Sequence, residues 1–418
     1  MALQLVGALM LPLSAQLACT GAAGASRTGR NGSASLPAPM PSSSAVRAAD
    51  RDSEFDMQER HAWQTETRSP QPAAAPKHAK LTRQCGRADT ALSRVALRIA
   101  RRQARRLPAL EMPEISFALR AAGSAYVWAR AWTVEGPRLS DEEVVERMRR
   151  WLASFDDGGQ RRCGVAKATT DDGATVVAGL AVDVLADLEP VPTRARLGQW
   201  IRVEAKMLAA ASDAQVVVLG PRGPPRTVPS TLDDTVVRAS FAVDQPGSWL
   251  LQLLATVQSG PRPVAEAMIH VDQKPPAVFQ ATAAPGEEAA IGVADAQTAL
   301  GQMIDAVRRS ERLSRLRRDS RLAAIAQAHA EAMREARRIG HDVGDGGPQS
   351  RIEATELPIR AAGENVAHAA DVRRAHRALW ASPSHRGNLL HPRFDSVGIG
   401  VATDSDGSVW VCQVFGDF

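Results

Sequence analysis

VGIGVATDSDGSVWVCQVFG, residues 397–416, alternates apolar with small or polar residues on both sides of an Asp-Ser-Asp-Gly turn. That pattern reads as a strand, a polar turn and a returning strand. A second stretch, CGVAKATTDDGATVVAGL at 163–180, has the same plan. Three further blocks precede both hairpins in the same order. Asp319, Leu322, Ile325 and Ala326 have the spacing of Asp89, Leu92, Val95 and Ala96, each set opening a helix. RAAGEN at 360–365 faces RAAGSA at 120–125, and LWAS at 379–382 faces WLAS at 151–154. Four blocks in one order predict an internal repeat, each copy being helices followed by a hairpin.

Between the copies, residues 194–275 change to short apolar runs broken by Pro and Gly clusters at 221–225 and 246–247. WIRVEAKML puts Ile201, Val203, Ala205 and Met207 on one face. This predicts a small antiparallel β-sandwich, and DQPGSWLLQLL resembles the turn and strand of bacterial immunoglobulin-like modules. The Pro- and Ala-rich residues 276–292 read as a linker to the last domain, 293–418. The earlier copy spans 85–190.

The chain has 418 residues, enough for two or three cores. Its net charge of +5 comes from arginines scattered among acidic residues, so no basic stripe points to nucleic acid. Aromatic residues make up 4% of the chain, leaving few stacking platforms. Residues 1–19 open with an apolar run followed by small residues, which reads as a signal segment lacking a preceding Lys or Arg. Cys19 stands where a lipid anchor would be attached, although Gln16 departs from the preferred lipidation signal. Residues 20–84, rich in Ala, Ser, Pro and Arg, read as a disordered tether. Cys85 and Cys163 either form a bridge, as an exporting compartment would permit, or are two separate buried thiols.

The residues from 341 to 388 carry the chemistry. Gly340 ends a helix begun at Asp319, which leaves His341 on a loop. Glu364 is expected in a short turn leading to the helix of Trp380. Ser382 and Pro383 start a further helical turn that presents His385 near its beginning, where a helix start would favour the neutral imidazole. Two histidines and one glutamate from three turns form the ligand set of an open zinc site, and would equally serve acid–base catalysis. In the repeat alignment the earlier copy has Ser124 and Ala125 in place of Glu364 and Asn365, and no histidine in place of His385.

AQAHAEAM, GENVA, ALWASPSHRGNLL, FDSVGIGVA and VWVCQVFG together resemble the bacterial branch of the CAP superfamily, the cysteine-rich secretory and pathogenesis-related group with SCP domains. The resemblance covers 293–418 and implies an α-β-α sandwich in a mostly extracellular family. It also implies a central cavity of two histidines and two glutamates able to hold a divalent metal. His341, Glu364 and His385 match three of those positions; Pro383 stands where eukaryotic members have the second glutamate.

Other residues have plainer readings. His329 lies on the apolar stripe of its helix as a satisfied interior residue, while His368 and His376 are expected on a solvated face. His391 is read as a turn residue. Asn365, Arg386 and Asn388 support the site, the last two bracing a loop or, for Asn388, orienting His385. Trp380 is read as core. Asp404 and Asp406 belong to the hairpin turn. The whole chain is therefore expected to be a multi-domain α+β protein exported to the cell envelope. Its last cavity would bind a divalent metal, zinc first, or a small polar, lipid or cell-wall ligand. Alternatives are a hydrolase of peptide or cell-wall bonds with Glu364 as base, and a structural surface protein.

Overall fold

A computed structural model describes residues 60–71, 78–153, 155, 159–258 and 260–418, with the backbone of residues 4 and 5. The rest of the expected signal segment, Cys19 included, and residues 20–59 lie outside the described residues.

The earlier repeat runs α1 (Ala79–Cys85), β1 (Arg87–Ala88), α2 (Thr90–Ala104), α3 (Met112–Ala121), β2 (Arg130–Gly136), α4 (Asp141–Leu152), β3 (Gln160–Thr169) and β4 (Thr175–Val184). Its sheet order is β1-β3-β4-β2. Asp89 caps α2 by accepting the Leu92 N–H at 3.1 Å, which satisfies a donor that the first helical turn leaves free. Leu92, Val95, Ala96 and Ile99 then fall on the buried stripe of α2. Gly164 of β3 lets that stripe lie directly on the sheet, since a methyl group there would overlap the backbone of Leu92 and Ser93. On the opposite face α4 turns Val144, Met148 and Leu152 inward. Cys85 and Cys163 are disulfide-bonded with Cα atoms 5.9 Å apart, joining the end of α1 to β3.

In the middle region β5 (Ala186–Leu188), β6 (Trp200–Met207), β7 (Asp213–Leu219), β8 (Arg226–Val228), β9 (Ser230–Asp233), β10 (Val236–Ala242), β11 (Gly247–Val257) and β12 (Gly260–Val271) form two sheets. Their orders are β9-β10-β6-β5 and β8-β7-β11-β12, the second extended by Arg194–Ala195. Val203 and Val237 of one sheet and Val216, Leu251 and Ile269 of the other share one core.

The last region contains α5 (Ala296–Ser310), β13 (Arg317–Arg318), α6 (Ser320–Ala336), α7 (Pro348–Glu353), β14 (Ala361–Ala369), α8 (Val372–Ala381), α9 (Pro383–Leu389), β15 (Ser396–Thr403) and β16 (Val409–Asp417). Strand order is β14-β16-β15-β13, with Gln4–Leu5 beside β14. Leu322, Ala326 and Met333 of α6 pack on one face of this sheet. Residues of α5, α8 and α9 pack on the other. Asp319 caps α6, and methyl groups on Gly398 or Gly400 would overlap its backbone at Leu322 and Ala326.

The two sheets therefore have the same order, the same hairpin and the same glycine beneath the capped helix. Registration from the hairpins, Thr169 opposite Thr175 and Thr403 opposite Val409, corrects one block of the sequence alignment. Glu364 pairs with Val414 and Asn365 with Gln413; the equivalent pairs are Ala131 with Leu180 and Trp132 with Gly179. Ser124 and Ala125 are not the counterparts. The letters RAAG end α3 in one copy, where Gly123 has φ +77°, and begin a strand in the other.

Two segments expected to be loose are packed. Within the expected tether, the Trp63 indole donates to the Pro276 carbonyl at 2.7 Å, Thr67 is buried, and Glu66–Thr67 pairs with Val191–Pro192. In the expected linker, Glu287 takes both guanidinium donors of Arg377 at 2.8 and 2.6 Å. No described helix is long and apolar enough to cross a membrane.

Candidate functional site

The site is built around a carboxylate on a strand. Glu364 lies within β14 rather than in the expected turn, and its side chain is 2% exposed. Its neighbours on the same face are Cys412 and Val414, and the α6 side of the sheet covers them. His329 of α6 is buried and satisfied, as its apolar stripe implied: Nδ1 lies 2.7 Å from Asp345 and Nε2 2.9 Å from the Gly340 carbonyl. Those two bonds hold the loop that carries His341.

From that loop the His341 Nδ1 lies 2.9 Å from Glu364 Oε1. Arg351 of α7 donates to Glu364 Oε2 at 2.6 Å and to the His341 carbonyl at 3.1 Å, and also to the carbonyl of Gly346. The Cys412 thiol, 3.6 Å from Oε2, adds a weak donor. Both carboxylate oxygens are thus engaged.

Burial alone would raise the proton affinity of Glu364, but the His341 hydrogen bond and the charges of His341, Arg351 and His329 outweigh it. The carboxyl is held below its ordinary range. Burial, then the neighbouring carboxylate, pushes the Cys412 thiol well above its usual value, so it stays a donor.

His385 sits near the start of α9, which begins at Pro383 as the sequence implied, although the Ser382 side chain makes no cap bond. Its imidazole is lowered to about 3, first by burial and then by the charge of His341. Burial, not the helix start, keeps it neutral.

The supporting residues brace α9. Asn365 donates to the His385 carbonyl at 3.1 Å and to Gln413 at 3.2 Å. Asn388 donates to the Glu364 carbonyl at 3.1 Å and to Asn365 at 2.9 Å, so it secures strand and helix rather than the imidazole. Arg386 lies 3.9 Å over the Trp380 ring and donates to the Trp380 carbonyl at 2.6 Å. The first turn of α9 also meets the middle region: the Ser384 N–H donates to Gln252 at 3.2 Å, Gln252 to Glu266 at 2.7 Å, and Glu266 pairs with Arg120 at 2.5 Å.

His376 is fully buried and bonded to the Pro285 carbonyl at 3.0 Å, contrary to the solvated face expected for it. The packed segment 285–290 covers that side of α8. His368 is exposed and stacks on Trp410. Arg351, Asp345, Cys412 and Gln413 were not singled out from sequence. The last two lie inside the decisive hairpin, where adjacency to the buried strand was the available signal; Arg351 had none.

The residues as placed do not fit a divalent metal. Among the described residues no three His, Cys, Asp or Glu side chains are grouped so that they could hold an ion. The guanidinium of Arg351 already neutralises the negative charge that Glu364 would offer to an ion.

The profile of the cysteine-rich secretory protein family, CAP, matches residues 302–414. An uncharacterized Bacillus subtilis protein, YkwD, is 27% identical over 117 residues, which are 28% of this chain and 45% of that relative. The chain thus spans under half of that relative's length. Among solved structures, an outer surface protein of Borrelia burgdorferi is similar at 22% identity, covering 33% of this chain and 98% of its own, with a TM-score of 0.28. An extracellular SCP-domain protein of Bacillus anthracis is similar at 14% identity over 65% of this chain and 92% of its own, also with a TM-score of 0.28.

Proposed function

The C-terminal region of this chain, residues 302–414, is a bacterial CAP domain, and from that premise we propose an exported binding protein whose last domain holds a small uncharged ligand beside His341 and His385. The observation that carries the reading is the closed Glu364–Arg351 pair, 2% and 9% exposed. Its charges cancel, and the neutral His385 imidazole offers one donor and one acceptor. An amide or hydroxyl group has the matching chemistry.

Export is supported by the apolar amino-terminal run and by the Cys85–Cys163 bridge, which an oxidising compartment would preserve. The middle region would act as an immunoglobulin-like spacer. Hydrolysis with Glu364 as base is less well supported, because a carboxylate held below its usual proton affinity is a weak base. A zinc site would require Arg351 to withdraw first.

The test is a thermal-shift titration of the full chain with N-acetyl-alanine amide and, separately, with zinc. The amide is expected to stabilise the wild type and not His385→Ala. Zinc is expected to shift Arg351→Ala more than the wild type. A large zinc shift in the wild type that His385→Ala abolishes would replace this reading with the metal site.

A further inference from the structure

We propose that the earlier repeat carries a binding site of its own, an open groove for an acidic saccharide on the sheet face that α9 covers in the last domain. Residues 382–395, which contain α9, join α8 to β15; in the earlier copy residues 153–159 suffice to join α4 to β3. No helix lies between α4 and β3 among the described residues. The face is left as a groove of about 630 Å³ lined by Trp132, Thr133, Val134, Arg147, Arg150 and Trp151.

The substitution is one of chemistry at equivalent stations. Asn365, whose amide braces α9, and Gln413, which accepts from Asn365, correspond to Trp132 and Gly179. A Cβ on Gly179 would come within 3.3 Å of the Trp151 ring and 3.5 Å of the Trp132 ring, so the missing side chain lets both indoles settle onto the sheet. Their planes are within 16° and their ring centres 5.9 Å apart, a stacked pair with Phe155 set edge-on to Trp151 at 5.2 Å. Sugar rings pack their C–H faces on such indoles.

Charge completes the selection. Arg147, Arg150 and Trp151 share one side of α4, three and four residues apart. Both arginines are exposed, and neither makes an ion pair within 4 Å among the described residues. Of the nearby acids, Glu143 reaches back to the Ser140 N–H at 3.0 Å while also feeling the charge of Arg147, and Glu146 lies 3.9 Å from Arg149. A carboxylate on the ligand would meet two guanidinium forks. At the sheet edge, β2 leaves backbone groups without a strand partner among the described residues, available to the hydroxyls.

The experiment titrates the full chain, by tryptophan fluorescence and calorimetry, with N-acetylmuramic acid and N-acetylglucosamine, which differ by a lactyl carboxylate. The acid should bind up to about tenfold more tightly at low salt, as two exposed charge contacts allow, and lose that advantage in high salt. Arg147→Gln with Arg150→Gln should equalise the two sugars, Trp151→Ala should weaken both, and Arg222→Gln, in an exposed loop of the middle region, should change neither. The double arginine variant alters only exposed side chains, so it decides the matter even if Trp151→Ala fails to fold. Binding of neither sugar, equal binding in the wild type, a preference that survives the arginine changes, or tighter binding of uridine monophosphate would each overturn the proposal.

Discussion

Glu364 keeps its charge in a place that water does not reach, and three donors make that possible. Removing the charge while Arg351 stays buried leaves that cation only its longer contact with Asp345, at 3.4 Å. Glu364→Gln should therefore cost about 3 kcal/mol of stability in urea unfolding, with a double variant Glu364→Gln, Arg351→Met recovering much of it. The pH dependence follows from the same burial. For Glu364 the folded value lies below the unfolded one, so its contribution is present above the ordinary carboxylate range and lost as pH falls through the folded value. His385 acts higher on the scale. Between its unfolded value near 6.5 and its folded value of about 3, the unfolded chain binds a proton that the folded chain refuses. Stability thus falls as pH drops through that window, by about 1.4 kcal/mol per unit. His61 and His270 are each lowered to about 4, chiefly by burial, and add to the same trend. Comparison with His385→Asn isolates one residue: the loss between pH 7.5 and pH 5 should shrink by up to about 2 kcal/mol.

At the scale of helices and strands, glycines separate two kinds of constraint. A methyl group at Gly398 would overlap the backbone of α6, with no flexible side chain to yield. At Gly407, by contrast, the surroundings are open and only the φ of +86° is demanding. Gly407→Ala should cost about 1–2 kcal/mol, whereas Gly398→Ala should prevent cooperative folding altogether; circular dichroism melting of the two variants checks the order. Both hairpins and both capped helices were legible in the sequence, because alternation and a capping aspartate are local signals. Strand β14 was not. Residues Ala361–Ala367 are buried on both faces, so no alternation marks them, and Val366 is their one β-branched residue, too little for a strand signal. That hid the strand position of Glu364, and it misplaced its counterpart in the earlier copy. His376 was misjudged because the arginines around it read as a wet surface, while the segment that covers it comes from far away in sequence.

Across the whole molecule, long-range connections decide what the sequence could not. Cys85 and Cys163 are 78 residues apart, and closing so long a loop restricts the unfolded chain by about 4 kcal/mol. Replacing both with serine should lower the thermal midpoint, and a reductant should then have no further effect. The polar chain from Arg120 through Glu266 and Gln252 to the Ser384 N–H links all three regions. Glu266→Ala should raise hydrogen exchange at the first turn of α9 while leaving the amides of β16 protected. Domain order was readable from composition and repeats, but these ties were not, since each joins residues with no shared local pattern. The close seating of helix on strand at Gly164 and Gly398 has one more consequence. There the layers meet main chain to main chain, so their separation is fixed by atoms common to every residue type. Such a chassis tolerates refitting: an acid occupies one seat in the last copy and an alanine the same seat in the earlier one, with the carriage beneath them unaltered.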